Sequence, residues 1–263
     1  MGRRNWAVLK PTERFSNRAE AYRRYRPGYP KAVTELMRGE CGLAEGEAVA
    51  DIGAGTGLFT RVLLEAGFDV TAVEPNGSMR AAAEEELDGF ARFRAVAAPA
   101  EETGLAGGSF DAITVAQAFH WFDHGAARRE FERLLRPGGW VFIVRNHREE
   151  GATAFARDYE EMLRTLGERY HAIGHRDREE LTRAMREFFP EGTLRIAKYD
   201  NPHEMDREGL RGRFLSMSYV PVKGEPGHEE LIGRLEEIFH AHAQEGKVRF
   251  EQVTEVYYGR MGE

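Results

Sequence analysis

The sequence has 263 residues, of which 41% are hydrophobic and 31% are charged, and its formal net charge is −7 at pH 7. This length and composition fit one large α/β domain, and the negative charge argues against a nucleic-acid surface. A single cysteine, Cys41, excludes an intramolecular disulfide and a cysteine-rich metal site. Because the sequence shows neither the apolar segment of a signal peptide nor a membrane span, we expect a cytoplasmic location and no membrane partner.

Residues 12–40 are typical of helix and turn, interrupted by Pro27 and Pro30, and are predicted to form an N-terminal helical cover. Their aromatic side chains fall near one another along a helix: Phe15, Tyr22, Tyr25 and Tyr29. This spacing suits packing of a terminal helix on the body of the domain. It equally suits a role in covering a ligand, and both can hold at once.

Residues 48–146 alternate between short apolar strands and amphipathic helices. The strands are predicted in AVADIG, DVTAVE, FRAVAA, SFDAITVAQA and WVFIVRN, and the helices in LFTRVLLEAG, GSMRAAAEEEL and GAARREFERLLRPGG. Strands that are nearly continuous apolar runs and alternate with helices indicate a parallel sheet covered on both faces.

The pattern changes after residue 146. Residues 150–190 predict two helices that form an insertion, and the charge run of residues 148–161 predicts a solvated helix face rather than a site. Residues 191–263 predict a strand, two helices and a closing strand, VRFEQVTEVYYGRM, whose alternation suits an edge or one exposed face. We expect all of these parts to form a single domain over residues 1–263.

A glycine-rich turn, VADIGAGTGLFT, follows the first predicted strand. Glycine at Gly53, Gly55 and Gly57 permits unusual φ angles and lets a ligand approach the backbone. Open α/β sheets bind ligands at this edge, next to a helix N-terminus. The dinucleotide fingerprint G-x-G-x-x-G would need a third glycine where the sequence has Leu58, so a pyrophosphate site is not favoured.

Glu74 ends the second predicted strand, about twenty residues beyond the loop, at the position of the ribose-binding acid in nucleotide folds. One carboxylate there can accept hydrogen bonds from both ribose hydroxyls. Together, the loop and Glu74 indicate a nucleoside ligand that needs no phosphate.

These residues resemble the class I S-adenosylmethionine-dependent methyltransferases. VADIGAGTGLFT is similar to their first motif, AVEPNGSM to their second, PAEETGL and FDAITVAQAFHWF to later motifs, and RLLRPGGWVFIV to their fifth-strand region. YRRYRPGYP, AFHWFD and FLSMSYVP are similar to the group that contains trans-aconitate methyltransferase-like and other small-molecule methyltransferases. The resemblance implies a Rossmann-like α/β fold with a seven-stranded, mostly parallel sheet and a helical insertion after the fifth strand.

The resemblance also implies a site for S-adenosyl-L-methionine. Glu74 would hold the ribose, and the backbone at Gly53 and Gly55 would meet the methionine part. The other cofactor-binding residues that it implies are Ala54, Thr56, Gly57, Pro75, Asn76, Met79, Ala100, Glu101, Ala116 and Gln117.

Two further details of the cofactor site follow from the resemblance. Asp51, before the loop, would help to orient the ammonium group of the methionine part. Many relatives have a polar residue where this sequence has Pro99, so Glu101 or backbone groups would bind the adenine amine.

The acceptor pocket is expected beyond the fourth strand. His120 can act as a base or hydrogen-bond donor and Trp121 as a wall; alternatively, His120 caps the strand and Trp121 fills the core. The substrate-binding candidates are Tyr22, Tyr25, Arg26, Tyr29 and Tyr219. His120 and His124 are spaced by four residues, but without a recognised ligand framework we expect no metal.

Together these features predict methyl transfer to a small molecule at oxygen, with a carboxylate as the first choice. A carboxylate needs no proton removed, whereas a hydroxyl or an amine benefits from a base. A non-catalytic nucleoside-binding protein on the same fold is one alternative. A nicotinamide-dependent oxidoreductase is another, disfavoured by the missing third fingerprint glycine.

Overall fold

The computed structural model describes residues 24–166, 170, 178–217 and 219–261. The predicted N-terminal cover is therefore described from residue 24 onward, and Tyr22 lies outside the described residues. The strands are β1 (Ala48–Ile52), β2 (Asp69–Val73), β3 (Phe93–Val96), β4 (Phe110–Ala116), β5 (Leu135–Arg148), β6 (Arg195–Asp200), β7 (His203–Met205), β8 (Val248–Phe250) and β9 (Gln252–Arg260). The α-helices are α1 (Ala32–Gly39), α2 (Leu58–Glu65), α3 (Gly77–Leu87), α4 (His124–Leu134), α5 (Ala154–Arg164), α6 (Arg178–Phe188), α7 (Arg207–Leu215) and α8 (His228–His242), and a 3₁₀-helix spans Phe119–Trp121.

Seven strands of the described chain form one sheet in the order β3-β2-β1-β4-β5-β9-β6. The pairs from β3 to β5 are parallel, and β9 runs antiparallel to both β5 and β6. This confirms the predicted mostly parallel, seven-stranded sheet. The strand order reverses at β1, with β2 on one side and β4 on the other, and open α/β sheets bind ligands at the carboxyl ends of the strands at such a point.

Both faces of the sheet are covered by helices. Phe131 of α4 belongs to the core on one face, and Phe59 of α2 belongs to the core on the other. Adjacent residues of β5 alternate between these cores, so Ile143 joins the first and Phe142 the second. Burial on both faces explains why the strands are nearly continuous apolar runs in the sequence.

The prediction that the closing strand is an edge or has one exposed face is wrong. The segment divides at Glu251: β8 pairs with β7 in a separate sheet, whereas β9 lies between β5 and β6 and is largely buried. Its polar side chains have partners, because Glu255 pairs with Lys198 Nζ at 2.7 Å and Thr254 donates to Asn146 Oδ1 at 2.6 Å. The alternation of polar residues therefore reflects satisfied polar groups inside the protein and not solvent exposure.

Residues 150–190 contribute to two different cores. Helix α6 packs on the sheet, where Phe188 contacts Phe131 with ring centroids 5.6 Å apart. Helix α5 instead joins α7, α8 and β8 in a third core that includes Tyr159 and Phe214. Since β5 leads into α5 and β8 leads into β9 at one end of the sheet, this third core adjoins the carboxyl end of β5.

Candidate active site

The glycine-rich loop between β1 and α2 lies against the end of β2. The N–H groups of Gly53 and Ala54 donate to the carbonyl oxygen of Val73 at 2.8 and 3.1 Å. Gly53, Gly55 and Gly57 have φ angles of +73°, +59° and +81°, which residues with side chains rarely adopt. The motif therefore forms a tight turn at the carboxyl edge of the sheet.

Of these three glycines, only the middle one has room for an added Cβ atom. A Cβ atom at Gly53 would lie 2.4 Å from Ala118 Cβ, and one at Gly57 would lie 2.8 Å from Leu87 Cδ1. At Gly55 the nearest atom, a methionine sulfur, would be 3.9 Å away. Gly53 and Gly57 therefore allow the loop to pack on the protein, whereas Gly55 leaves room for a ligand.

The carboxylate of Glu74 connects this loop to the end of β2. Its Oε2 accepts the N–H of Gly55 at 2.9 Å, and its Oε1 accepts the N–H of Asn76 at 2.8 Å. Burial raises the pKa of Glu74, an effect that the two backbone N–H groups oppose. Because each carboxylate oxygen has a second lone pair, Glu74 can still accept hydrogen bonds from two hydroxyl groups.

Asp51 is a buried residue of β1, directly before the glycine-rich loop. It is 1% exposed, and its carboxylate accepts the hydroxyl of Thr114 at 2.8 Å and that of Thr60 at 2.6 Å. Burial raises the pKa of Asp51 to about 6, although both threonine hydroxyls counteract this. Asp51 therefore joins β1 to α2 and β4 through these two hydrogen bonds, and its contact with the ammonium group stays a prediction.

The N-terminus of α3 supports Glu74 from the other side. Asn76 caps this helix, since its Oδ1 accepts the N–H of Met79 at 3.0 Å. Asn76 and Met79 are buried, whereas Pro75 is exposed. The cap fixes the backbone directly after Glu74, and the Met79 side chain flanks Gly55.

Glu101, predicted to bind the adenine amine, is partly engaged within the protein. Its Oε1 accepts the N–H of Asp123 at 2.8 Å, and Asp123 caps α4 by accepting the N–H of Ala126 at 2.9 Å. Ala100 beside it is buried, and Pro99 is exposed. Recognition of an adenine amine would therefore use the second oxygen of Glu101 or nearby backbone groups.

Thr56 is the loop residue whose side chain lies deepest. It is 1% exposed, and among the described residues nothing hydrogen-bonds to its hydroxyl. A buried hydroxyl without a partner carries a desolvation cost that a bound polar group can offset. The hydroxyl group of Thr56 can therefore form a hydrogen bond with a ligand of this loop.

The fourth strand ends in an unusual backbone conformation. Ala116 closes β4, and Gln117 follows with a φ of +57°. Its backbone N–H donates to the carbonyl oxygen of Val144 at 3.0 Å, and its Nε2 donates to that of Asn146 at 2.7 Å. Non-glycine residues in this conformation cluster at functional sites, and here the conformation ties the ends of β4 and β5 together.

Phe119, not Trp121, fills the core beyond the fourth strand. The Phe119 ring is buried between His124, at a centroid distance of 4.2 Å, and Phe188, at 5.0 Å. His120 and Trp121 are half-buried, with ring centroids 4.6 Å apart. These two side chains therefore remain partly exposed just beyond the carboxyl end of β4, and their role in an acceptor pocket stays a prediction.

Residues 24–30 pass along helix α7. The hydroxyl of Tyr25 donates to Glu208 Oε1 at 2.9 Å, and Arg26 Nε donates to Ser216 Oγ at 3.1 Å. Tyr25 also packs against Gly212, where a Cβ atom would lie 2.2 Å from its ring. Tyr25 is thus engaged in packing the segment onto α7.

The same segment also reaches the sheet and α2. The carbonyl oxygen of Gly28 accepts the side-chain amides of Asn146 at 3.1 Å and Asn201 at 3.0 Å. Tyr29 makes an edge contact with Phe59 of α2 at a centroid distance of 4.8 Å. The described part of the predicted cover therefore crosses the carboxyl edge between α7 and α2.

Sequence reasoning missed a buried group of charged and aromatic residues beside the end of β5. Glu160 is 3% exposed, and it accepts the hydroxyl of Tyr170 at 2.5 Å and pairs with Arg148 at 3.4 Å. The prediction of a solvated face for residues 148–161 is therefore wrong at this position. Burial raises the pKa of Tyr219, whose ring lies 5.4 Å from that of Tyr170.

Arg213 is the member of this group that the sequence could have revealed. It lies one residue before Phe214 and three after Leu210, both buried, so it occupies the apolar face of α7. A charged residue at such a position requires a partner. Other arginines stand close by in the sequence, which makes this one difficult to distinguish from exposed residues.

Among the residues that the structure describes, no helix combines the length and the apolar character needed to cross a membrane. Within the same residues, no group of three or more His, Cys, Asp or Glu side chains is arranged to hold a metal ion.

The glycine-rich loop and Glu74 thus lie together at the carboxyl edge of the sheet, next to the point where the strand order reverses. Residues 50–143 match a family model described as a methyltransferase domain. An uncharacterized methyltransferase of Mycobacterium bovis is 41% identical over 141 residues, covering 52% of this chain and 53% of that protein. The chain spans about half the length of the curated relatives it matches.

Solved structures share the fold over most of the chain. A protein of Anaeromyxobacter dehalogenans, provisionally described as a type II methyltransferase, has a TM-score of 0.67 at 24% identity and covers 91% of this chain and 100% of that one. Haemonchus contortus phosphoethanolamine N-methyltransferase 2, solved with phosphomonomethylethanolamine and S-adenosylhomocysteine, has a TM-score of 0.58 at 16% identity and covers 98% and 61%. The similarity to methyltransferases in sequence therefore lies in residues 50–143, and the solved structures show that the fold is shared over most of the chain.

Proposed function

We propose that the protein transfers a methyl group from S-adenosyl-L-methionine to a small-molecule acceptor. The observation that carries this proposal is Glu74, whose buried carboxylate holds the N–H of Gly55 and retains lone pairs for a ribose. The residues present fit this cofactor, because Gly55 leaves room for it and the loop offers no third fingerprint glycine for a pyrophosphate.

The bound cofactor would supply a methyl group on a sulfonium sulfur, which is already a good leaving group. Positioning by the protein can therefore supply much of the rate. Glu74 would orient the ribose, and the turn at Gln117 would fix the β4 edge beside the reacting atoms. His120 and Trp121, half-buried at the same edge, would form the wall against which the acceptor lies.

We place the acceptor atom at oxygen, with a carboxylate as the first choice. A carboxylate attacks without loss of a proton, so it needs no dedicated base. Arg26 supports an acceptor that carries negative charge, because a guanidinium group can donate two parallel hydrogen bonds to a carboxylate. Its hydrogen bond to Ser216 holds Arg26 near the carboxyl edge of the sheet. We also propose that the protein acts in the cytoplasm, which its single cysteine, the buried Cys41, supports. The net charge of −7 supports the proposal that it does not bind nucleic acid.

Heat unfolding of the full chain with S-adenosylhomocysteine or NAD tests the proposal. We expect the melting temperature to rise with S-adenosylhomocysteine and to stay unchanged with NAD, because binding to the native state alone stabilises it. Stabilisation by NAD alone would favour the oxidoreductase. Incubation with labelled S-adenosylmethionine and a broad acceptor panel then separates an enzyme from a non-catalytic binding protein, which would bind without turnover.

The variant His120→Ala tests the acceptor pocket and distinguishes its chemistry. For a carboxylate acceptor we expect KM to rise while kcat changes little, because no base is required. For a hydroxyl or amine acceptor we expect kcat to fall by about 10²-fold to 10⁴-fold, the usual contribution of general base catalysis. His240→Ala, at an exposed position of α8, is the control. Unchanged kcat and KM in His120→Ala would remove His120 from the pocket.

A further inference from the structure

Arg213 of α7 is buried without a carboxylate partner among the described residues. It is 4% exposed, its Nη2 donates to Gln252 Oε1 at 2.9 Å, and its guanidinium lies 4.5 Å from the ring centroid of Phe250. Its Nε and Nη1 atoms are buried and have no hydrogen-bond partner. Burying a charge without a partner costs free energy. A bound anion would offset this cost at Arg213.

Two further polar atoms near Arg213 are buried without a hydrogen-bond partner among the described residues. Gln252 Oε1 is already used by Arg213, whereas Gln252 Nε2, a donor, has no partner. His203 Nε2 is the second such atom, and burial, followed by the charge of Arg213, lowers the pKa of His203. An oxyanion can accept hydrogen bonds from Arg213 and Gln252, and from His203 in the tautomer that is protonated at Nε2.

The charges near Arg213 are mainly positive. Burial, followed by the charges of Arg148 and Arg26, lowers the pKa of Arg213 to about 9, although the nearby tyrosines oppose this. In the described chain, Arg148 has Glu160 as its carboxylate partner, at 3.4 Å. Arg213, which has no carboxylate partner among the described residues, therefore lies near two further guanidinium groups at the end of β5.

Hydrogen bonds and a short stretch of chain connect these arginines to the end of β4. Asn146 accepts the side chain of Gln117 at its carbonyl oxygen and donates its own side-chain amide to Gly28. Two residues before Gly28, Arg26 donates to Ser216, which follows the last residue of α7. The positive group therefore lies along the same edge of the sheet as the end of β4.

We propose that Arg26, Arg148, Arg213 and Gln252 form a subsite for an anionic group of the acceptor, distinct from the atom that receives the methyl group. The ligand chemistry is that of a carboxylate or a phosphate, either of which a guanidinium fork binds through two N–H groups. The description of the ligand as an acceptor rests on the proposed methyl transfer. Anion binding itself requires no turnover and can be measured separately.

The test is calorimetric titration of the full chain with succinate and with inorganic phosphate, with and without saturating S-adenosylhomocysteine. We expect Arg213→Met to lose at least about tenfold in affinity for the preferred anion, because charged hydrogen bonds are removed. The control is Arg136→Met, which removes an arginine paired with Asp111 near the start of β4. We expect the control to bind the anion as the wild type does.

Thermal stability provides a second readout of the same variant. Replacing an unpartnered buried cation by an apolar side chain of similar volume is often neutral or stabilising. We therefore expect the melting temperature of ligand-free Arg213→Met to equal or exceed that of the wild type. A purely structural arginine would instead lower it, and a clear decrease together with unchanged anion affinity would overturn the proposal.

The remaining outcomes also decide the assignment. Failure of the wild type to bind either anion overturns the subsite, and preference for succinate or for phosphate identifies the group. If Arg213→Met does not fold, Arg213→Lys takes its place; it keeps the charge without the planar fork, so unchanged affinity would overturn the proposal. If the protein does not bind S-adenosylhomocysteine, that result contradicts the methyltransferase proposal alone. It leaves the proposal of anion binding by Arg213 intact.

Discussion

Glu74→Ala is expected to lower the affinity for S-adenosylhomocysteine by on the order of 100-fold or more. The substitution removes the proposed acceptor of two ribose hydroxyls, and hydrogen bonds to a charged group contribute about 1.5–3 kcal/mol each. It also leaves the N–H groups of Gly55 and Asn76 without their acceptor. We therefore expect a loss of about 1–3 kcal/mol in the free energy of unfolding as well. Calorimetric titration and urea unfolding measure the two effects.

A ligand variant separates the ribose contact from loosening of the loop. Wild type should bind 2′-deoxy-S-adenosylhomocysteine more weakly than S-adenosylhomocysteine, whereas Glu74→Ala should bind the two alike. If removal of the 2′-hydroxyl lowered the affinity equally in the wild type and in Glu74→Ala, Glu74 would not contact that hydroxyl. Glu84→Ala is the matched control, because Glu84 is exposed on α3 and loses the same atoms. Full affinity in Glu74→Ala would remove the ribose assignment altogether.

Gly55→Ala is expected to block the cofactor while the fold survives. The new methyl group would meet no described atom closer than the methionine sulfur at 3.9 Å, so its main cost is the left-handed φ of +59°. That conformation costs a side-chain residue about 1–2 kcal/mol. We place the cofactor beside Gly55, so the added methyl group should lower the affinity for S-adenosylhomocysteine by about tenfold or more.

Gly57→Ala provides the matched comparison. Its φ of +81° carries a similar cost, but the added Cβ would also lie 2.8 Å from Leu87 Cδ1 and 3.2 Å from Ala83 Cβ. We expect Gly57→Ala to be the less stable variant and Gly55→Ala the weaker binder at temperatures where both are folded. If Gly55→Ala bound S-adenosylhomocysteine as tightly as the wild type, no ligand would approach the loop there.

The position of the loop and Glu74 at one edge of the sheet could be predicted from sequence, because these residues directly follow neighbouring strands. The loop comes directly after β1, and Glu74 comes directly after β2, so parallel pairing of β1 with β2 brings them to one edge. What the sequence did not reveal is the difference among the glycines. That difference depends on Ala118 and Leu87, which belong to other elements.

The edge position predicted for the closing strand illustrates the opposite case. Alternation in β9 indicated exposure, but Lys198 on β6 and Asn146 on β5 satisfy Glu255 and Thr254 from the two sides. A period of two reports which residues share a face of the sheet, and it does not report whether their polar groups have partners in neighbouring strands.

The sequence by itself determined the parallel α/β core, the loop and its acidic partner, because local periodicity and short spacings encode them. Only the tertiary structure decided that Arg26, Arg148 and Arg213 lie near one another, since they come from the N-terminal segment, β5 and α7. Their chain separations carry no periodic signal. The burial of Arg213 without a carboxylate partner among the described residues arises only when these distant elements pack together.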